Sequence, residues 1–177
     1  MGQFLAGNLN NACERRDYAM NTVEYAPMNF LSPHFSYEEF TLSETAMRKG
    51  IDNTPPAEIL TRLKSTAGNL ELVRAAVLFP LHITSGYRAP ALNAAIGGVP
   101  TSAHCKGWAV DFVCPRFGSP FEVANAIREK FLYDKALKFD QLILEYGWVH
   151  ISFDPLMRNE CLTKKSAAAP YVAGLVA

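Results

Sequence analysis

Two short stretches of the sequence concentrate side chains that can do chemistry: SAHCKGWAVD, from Ser102 to Asp111, and WVHISF, from Trp148 to Phe153. They contain His104, Asp111 and His150, in a chain with only four histidines among 177 residues. Two imidazoles and one carboxylate match the donor set of a catalytic zinc site, which takes three N or O ligands and keeps a fourth position for water. On an extended segment Ala109, Asp111 and Val113 share one face, and Trp108, Val110 and Phe112 take the other. An aspartate among such apolar neighbours needs a partner, because burying an unpaired carboxylate is very costly. In WVHISF the residues Trp148, His150 and Ser152 alternate with Val149, Ile151 and Phe153, so His150 projects away from the apolar set. Gly107 lets the backbone turn tightly, so that His104 in the preceding loop can face the strand carboxylate. Spacing alone leaves two readings open, a metal centre and a set of structurally satisfied polar residues.

The other reactive groups are less organised. His34 and His82 lack any such motif and read as structural. Cys13, Cys105, Cys114 and Cys161 form no Cys-x-x-Cys pair and are too sparse for a disulfide framework, so reduced thiols are expected. No nucleophile motif surrounds Cys105 or Cys114, which leaves a cysteine hydrolase poorly supported. Lys plus Arg equals Asp plus Glu at 17 each, so the charge gives no sign of a nucleic-acid or anionic-membrane partner. The N-terminal MGQFLAGNLNNACERRDYAM lacks a basic start followed by a sustained apolar run, and no cleaved secretory signal is expected. Ala6 breaks the myristoylation pattern that Met1-Gly2 would begin. The C-terminal KKSAAAPYVAGLVA is too short and mixed to span a bilayer.

The length suits one domain with its own core. Residues 1–30 show no firm period and are expected as an N-terminal extension; 31–159 carry the folded domain; 160–177 are expected as a mobile or partner-bound tail. Short helical pieces should end at Gly50. The longest helical pattern follows, with Ile59, Leu60, Leu63, Ala67, Leu70, Val73 and Val77 along one face. Thr54 is its expected cap, Pro55 and Pro56 fit the first turn, Gly68 weakens the middle and is a point where the helix could break in two, and Pro80 stops it. LHITSGYR reads as a strand running into a turn, and PALNAAIGG as a short helical segment. Ser119, Pro120 and Glu122 make a capping box ahead of a helix carrying Ala124, Ile127 and Phe131. Strands are expected over 108–114, 139–145 and 148–153. Helices grouped mostly before closely spaced strands point to an α+β domain on a small antiparallel sheet, with the helices packed on one side.

SAHCKGWAVDF and WVHISF, preceded by TSGYRAPALNAAIGG, resemble the zinc-dependent D-alanyl-D-alanine carboxypeptidases and endopeptidases of peptidase family M15, especially bacterial and phage-borne members. The resemblance runs from about Leu31 to Phe153 and includes LSPHFSYEEF and GIDNTPPAEI. It implies a hedgehog/DD-peptidase-like fold in which His104, Asp111 and His150 ligate Zn²⁺. It also implies a general base shortly before the last histidine, for which Glu145 is the candidate and Asp140 the fallback. Five residues along one continuous strand would put Glu145 and His150 on opposite faces, so the chain must turn at YGW for them to converge. Arg88 resembles the family arginine that holds a substrate carbonyl or carboxylate, and Ser102 a residue that hydrogen-bonds substrate. Trp148 is a cleft wall or packing, and Tyr87 core or cleft lining. Cys105 follows the first histidine at a variable position and is left out of the metal shell.

The resemblance implies hydrolysis of peptide bonds in peptidoglycan stem peptides by a phage-encoded protein, either an endolysin in the host bacterial cytoplasm or a virion component. The terminal extensions would then dock on other virion proteins. The competing expectation is a catalytically inactive zinc-binding structural or binding module, since the related hedgehog signalling domain keeps such a site without peptidase function. Discrimination lies with the base, and the motifs do not separate carboxypeptidase from endopeptidase.

Overall fold

Ile59, Leu63, Ala67, Leu70, Val73 and Val77 lie along one face of a 21-residue helix and are all buried, so the spacing of three and four marks the face that packs on the core. The computed structural model describes residues 29–134 and 138–177. In chain order the elements are β1 (Phe30–Ser32), β2 (Phe35–Ser36), α1 (Tyr37–Thr41), α2 (Glu44–Lys49), α3 (Ala57–Val77), β3 (His82–Ser85), α4 (Pro90–Ala95), β4 (Ala109–Val113), α5 (Pro120–Tyr133), β5 (Gln141–Glu145), β6 (Val149–Ser152), β7 (Glu160–Lys164) and β8 (Val172–Ala173). A single turn of 3-10 helix, Ala103–Lys106, precedes β4. The expected N-terminal extension lies outside the described residues except for its last two.

Local signals account for most boundaries. Ser119 caps α5, its hydroxyl accepting from Glu122 N–H while the Glu122 carboxylate accepts from Ser119 N–H. Gly50 closes α2 in the left-handed conformation, as its position in the sequence suggests. Two expectations fail at α3. Thr54 does not cap it: the cap position falls on Pro56 and the helix begins at Ala57, while Thr54 N–H turns back to donate to Asp52 Oδ1 at 2.8 Å. Gly68 does not break it either; a glycine costs roughly 1 kcal/mol in a helix interior, and the buried face on both sides of it outweighs that. The helix ends three residues ahead of the Pro80 stop, at Val77, with Leu78 left-handed.

The described residues form a six-stranded sheet in the order β3-β4-β6-β5-β7-β8. Neighbours are antiparallel except β5 and β7, which run parallel. Val110 and Phe112 of β4, Leu142 of β5, and Val149 and Ile151 of β6 are buried in one cluster with Leu63, Leu70, Val73 and Ile127 of α3 and α5. The α+β architecture and the one-sided helix layer are as expected. Segment 160–177 is not a loose tail: β7 lies in register along β5, and Thr163 Oγ1 donates to Gly174 O and accepts from Val176 N–H. Sequence periodicity missed this because a parallel pairing is non-local and leaves no turn signal. At the other edge, α1 lies beside β3, and Tyr87 N–H donates to Phe40 O at 2.7 Å. Among the described residues no helix is long and apolar enough to cross a membrane.

Candidate metal centre

Strand pairing brings the predicted donors together. Asp111 is the direct cross-strand partner of His150 on β6, and Ser85 of β3 lies opposite Asp111 on its other side. Residues paired in this way point to the same face, and it is the face away from α3 and α5. His104 enters from the 3-10 turn, whose end is set by Gly107 at φ +76; a Cβ there would crowd Ile59 of α3. Thr66 of α3 donates to Gly107 O at 2.8 Å, and Arg62 stacks over Trp108, so the long helix holds the histidine loop from beneath.

His104 Nε2 stands 3.2 Å from both His150 Nδ1 and Asp111 Oδ1, and His150 Nδ1 stands 2.8 Å from Asp111 Oδ1. Three ligand atoms placed tetrahedrally about an ion at its usual 2.0–2.1 Å would be roughly 3.3 Å apart, so the donor set fits such an ion. Orientation is fixed from outside the set. His104 Nδ1 donates to Gly86 O at 2.7 Å, which leaves the Nε2 lone pair facing inward. Burial, the largest influence, lowers the His104 pKa and favours that neutral ring. For Asp111 burial works the other way, but the neighbouring histidines hold its carboxyl well below the usual range. Asp111 thus offers an ionised Oδ1 to the two rings, while its Oδ2 accepts from Arg88 Nη2 at 2.5 Å.

Arg88 is itself positioned: Nε donates to Ser85 Oγ at 2.9 Å. The SGYR segment therefore acts as a unit. Ser85 steers the arginine, Gly86 presents its carbonyl to His104, Tyr87 is buried, and Arg88 reaches Asp111. Gly86 is required because a Cβ would collide with the Phe40 backbone. Neither Ser85 nor Gly86 was singled out from the sequence, although the glycine before Tyr87-Arg88 was a signal of close approach.

Glu145 lies on the same face as His150. Residues 146 and 147 make a two-residue turn, Glu145 N–H donates to Trp148 O at 3.0 Å, and Ile143 pairs with His150. Counting back along β5 from Ile143, Glu145 points where His150 points, so the turn at Tyr146-Gly147 supplies the reversal that a continuous strand would have denied. Burial raises the Glu145 pKa; His150 opposes this and Asp111 adds to it, with weaker opposition from Lys164 and Arg88. Trp148 meets Tyr146 edge to face, ring centroids 4.8 Å apart, at the rim.

A groove of about 1370 Å³ runs over this face, lined among others by Arg88, Ser102, His104, Glu145, Trp148 and His150. Ser102 Oγ also accepts from His104 N–H at 3.3 Å, capping the histidine turn. Asp140 borders the groove but its oxygens are held by Arg158, at 2.7 and 2.6 Å, which removes it as the fallback base. Cys105 stands outside the donor set, and burial raises its thiol pKa and that of Cys114. Both stay protonated near neutrality, against a thiolate nucleophile. His34 pairs with Glu71 of α3, and His82 is exposed on β3.

A family model described as Peptidase M15 matches residues 33–152, which include all three donors, Arg88 and Glu145. No curated protein matches the chain.

Proposed function

The chain belongs to the M15 peptidases, a family of metallopeptidases, and from that premise we propose that it is a zinc peptidase hydrolysing bonds in peptidoglycan stem peptides, where a D-amino acid flanks the scissile bond. The observation that carries this reading is the placement of Glu145 on the same sheet face as the donors His104, Asp111 and His150, with Arg88 on their other side. His104 Nε2, Asp111 Oδ1 and His150 Nδ1 would hold the ion. Zinc bound there would supply Lewis acidity toward the scissile carbonyl and lower the pKa of water.

The remaining work falls to the chain's own residues. Glu145, with a pKa raised by burial, accepts the proton of the attacking water and returns it to the departing amine, so no covalent intermediate is needed. Arg88 keeps Nη1 without a partner among the described residues, and this N–H meets the carbonyl oxygen as it gains charge. Ser102 and Trp148 border the groove where the peptide backbone would lie. The inactive zinc-binding module is the weaker reading, because it calls for a site without a facing carboxylate. A phage-borne setting, as endolysin or virion component, rests on the resemblance of the motifs and would be tested by looking for the chain in purified particles.

The decisive experiment measures metal content together with release of fragments from purified peptidoglycan. Wild type should carry about one zinc per chain and release stem-peptide fragments. Glu145→Ala should keep the metal and lose cleavage by roughly 10²- to 10⁴-fold. A wild type that holds zinc and cuts nothing would overturn the peptidase reading in favour of the inert module.

A further inference from the structure

The family match ends at residue 152, yet the groove does not. Leu162, Lys164 and Tyr171, from β7 and the segment leading to β8, form its wall beyond Glu145. The parallel register pairs Ile143 with Leu162 and Glu145 with Lys164, so Lys164 points to the donor face directly beside Glu145. Its Nζ lies 4.7 Å from the centre of the Tyr171 ring, a contact that steadies the ammonium without neutralising it. Among the described residues Lys164 has no ion-pair partner, in contrast to Arg158 and Lys106 on the same groove.

The groove therefore has a direction. Arg88 stands at the β3 end, the donors lie between, and Glu145 followed by Lys164 stands at the β7 end. If Arg88 meets the carbonyl oxygen and Glu145 returns a proton to the leaving nitrogen, the departing residue extends toward β7. The carboxylate oxygens lie roughly 3 Å from the nitrogen on the same α-carbon, a span that two side chains from adjacent strands about 4.8 Å apart can grip together. We infer that Lys164 receives the carboxylate of the departing residue, so that the chain selects peptides with a free C-terminal carboxylate and acts as a carboxypeptidase. The inference rests on the peptidase reading above and adds a specificity-determining residue from outside the family-matched region.

The test compares an N-acylated peptide ending in D-Ala-D-Ala with the same peptide as its C-terminal amide, for wild type, Lys164→Gln and Lys164→Arg loaded with zinc. Wild type should favour the acid by on the order of 10- to 100-fold in kcat/KM, the range of a hydrogen bond to a charged group. Lys164→Gln should collapse that preference toward unity and Lys164→Arg should largely retain it. Any general damage, including an altered Glu145 pKa, falls on both substrates alike and leaves the ratio unmoved. An acid preference that persists in Lys164→Gln, or is lacking in wild type, overturns the inference while the peptidase reading stands. If wild type releases nothing from these peptides or from peptidoglycan, both fall together.

Discussion

Two buried aspartates stand on either side of β6, Asp111 on β4 and Asp140 just ahead of β5, each with an arginine at hand. Their surroundings assign them different work. Arg158 grips Asp140 with Nε and Nη2, one to each oxygen, and Ser152 adds a donor at 3.4 Å. Arg88 takes only Oδ2 of Asp111 and leaves Oδ1 to two imidazoles. A carboxylate saturated by a planar fork is a clamp, whereas one with an oxygen shared between two imidazole nitrogens is a ligand. Type and burial alone would have ranked the two equally.

The comparison can be broken by substitution. Asp111→Asn should abolish metal retention and hydrolysis together, measured by metal analysis and peptide release, because the donor set loses its only anion. The corresponding loss at the other centre, Arg158→Ala, should leave metal content intact and appear in unfolding experiments instead. We expect a cost of about 1–3 kcal/mol, below that of a fully enclosed pair because Arg158 is partly solvated. A variant that lost metal on Arg158→Ala would show that the two centres are coupled through β6.

The smallest effect sharpens the contrast through pH. Burial works to raise the Asp140 pKa, but the bonds from Arg158 and Ser152 outweigh it and hold the carboxyl below its ordinary value. A group depressed in the folded state stabilises the fold above its unfolded pKa, near 4, and that stability is lost as pH falls through the lower folded value. Denaturant midpoints recorded downward from about pH 5 should therefore fall more steeply for wild type than for Asp140→Asn. Glu71, which burial would raise but which is held low by Ser32 and His34, contributes in the same sense and remains in both proteins.

Much of this was legible because the donors sit in contiguous motifs whose strand alternation is local. Val110 and Phe112 go inward and Asp111 outward, as period two requires, and WVHISF behaves in the same way. The helix face of α3 and the Ser119 capping box were readable for the same reason. What escaped depended on contacts remote in sequence. Gly86 matters because of Phe40, forty-six residues earlier, and Lys164 matters because β7 returns beside β5. Thr54 failed as a cap because the helix starts later than the prolines suggested: the cap position falls on Pro56, and Pro55 and Pro56 stay outside the first turn.

The covering of β3 by α1 has a consequence for how the molecule keeps company with copies of itself. An open strand edge is a template for another chain, and sheets with long bare edges assemble into fibrous aggregates. Here one edge lies beside a helix, and the opposite edge, β8, is only two residues long. The edge strands are four and two residues long, so neither margin offers a long ladder for a second sheet to extend. The groove can thus lie open on the face of the sheet while the short edge strands on either side of it give a second sheet little to pair with.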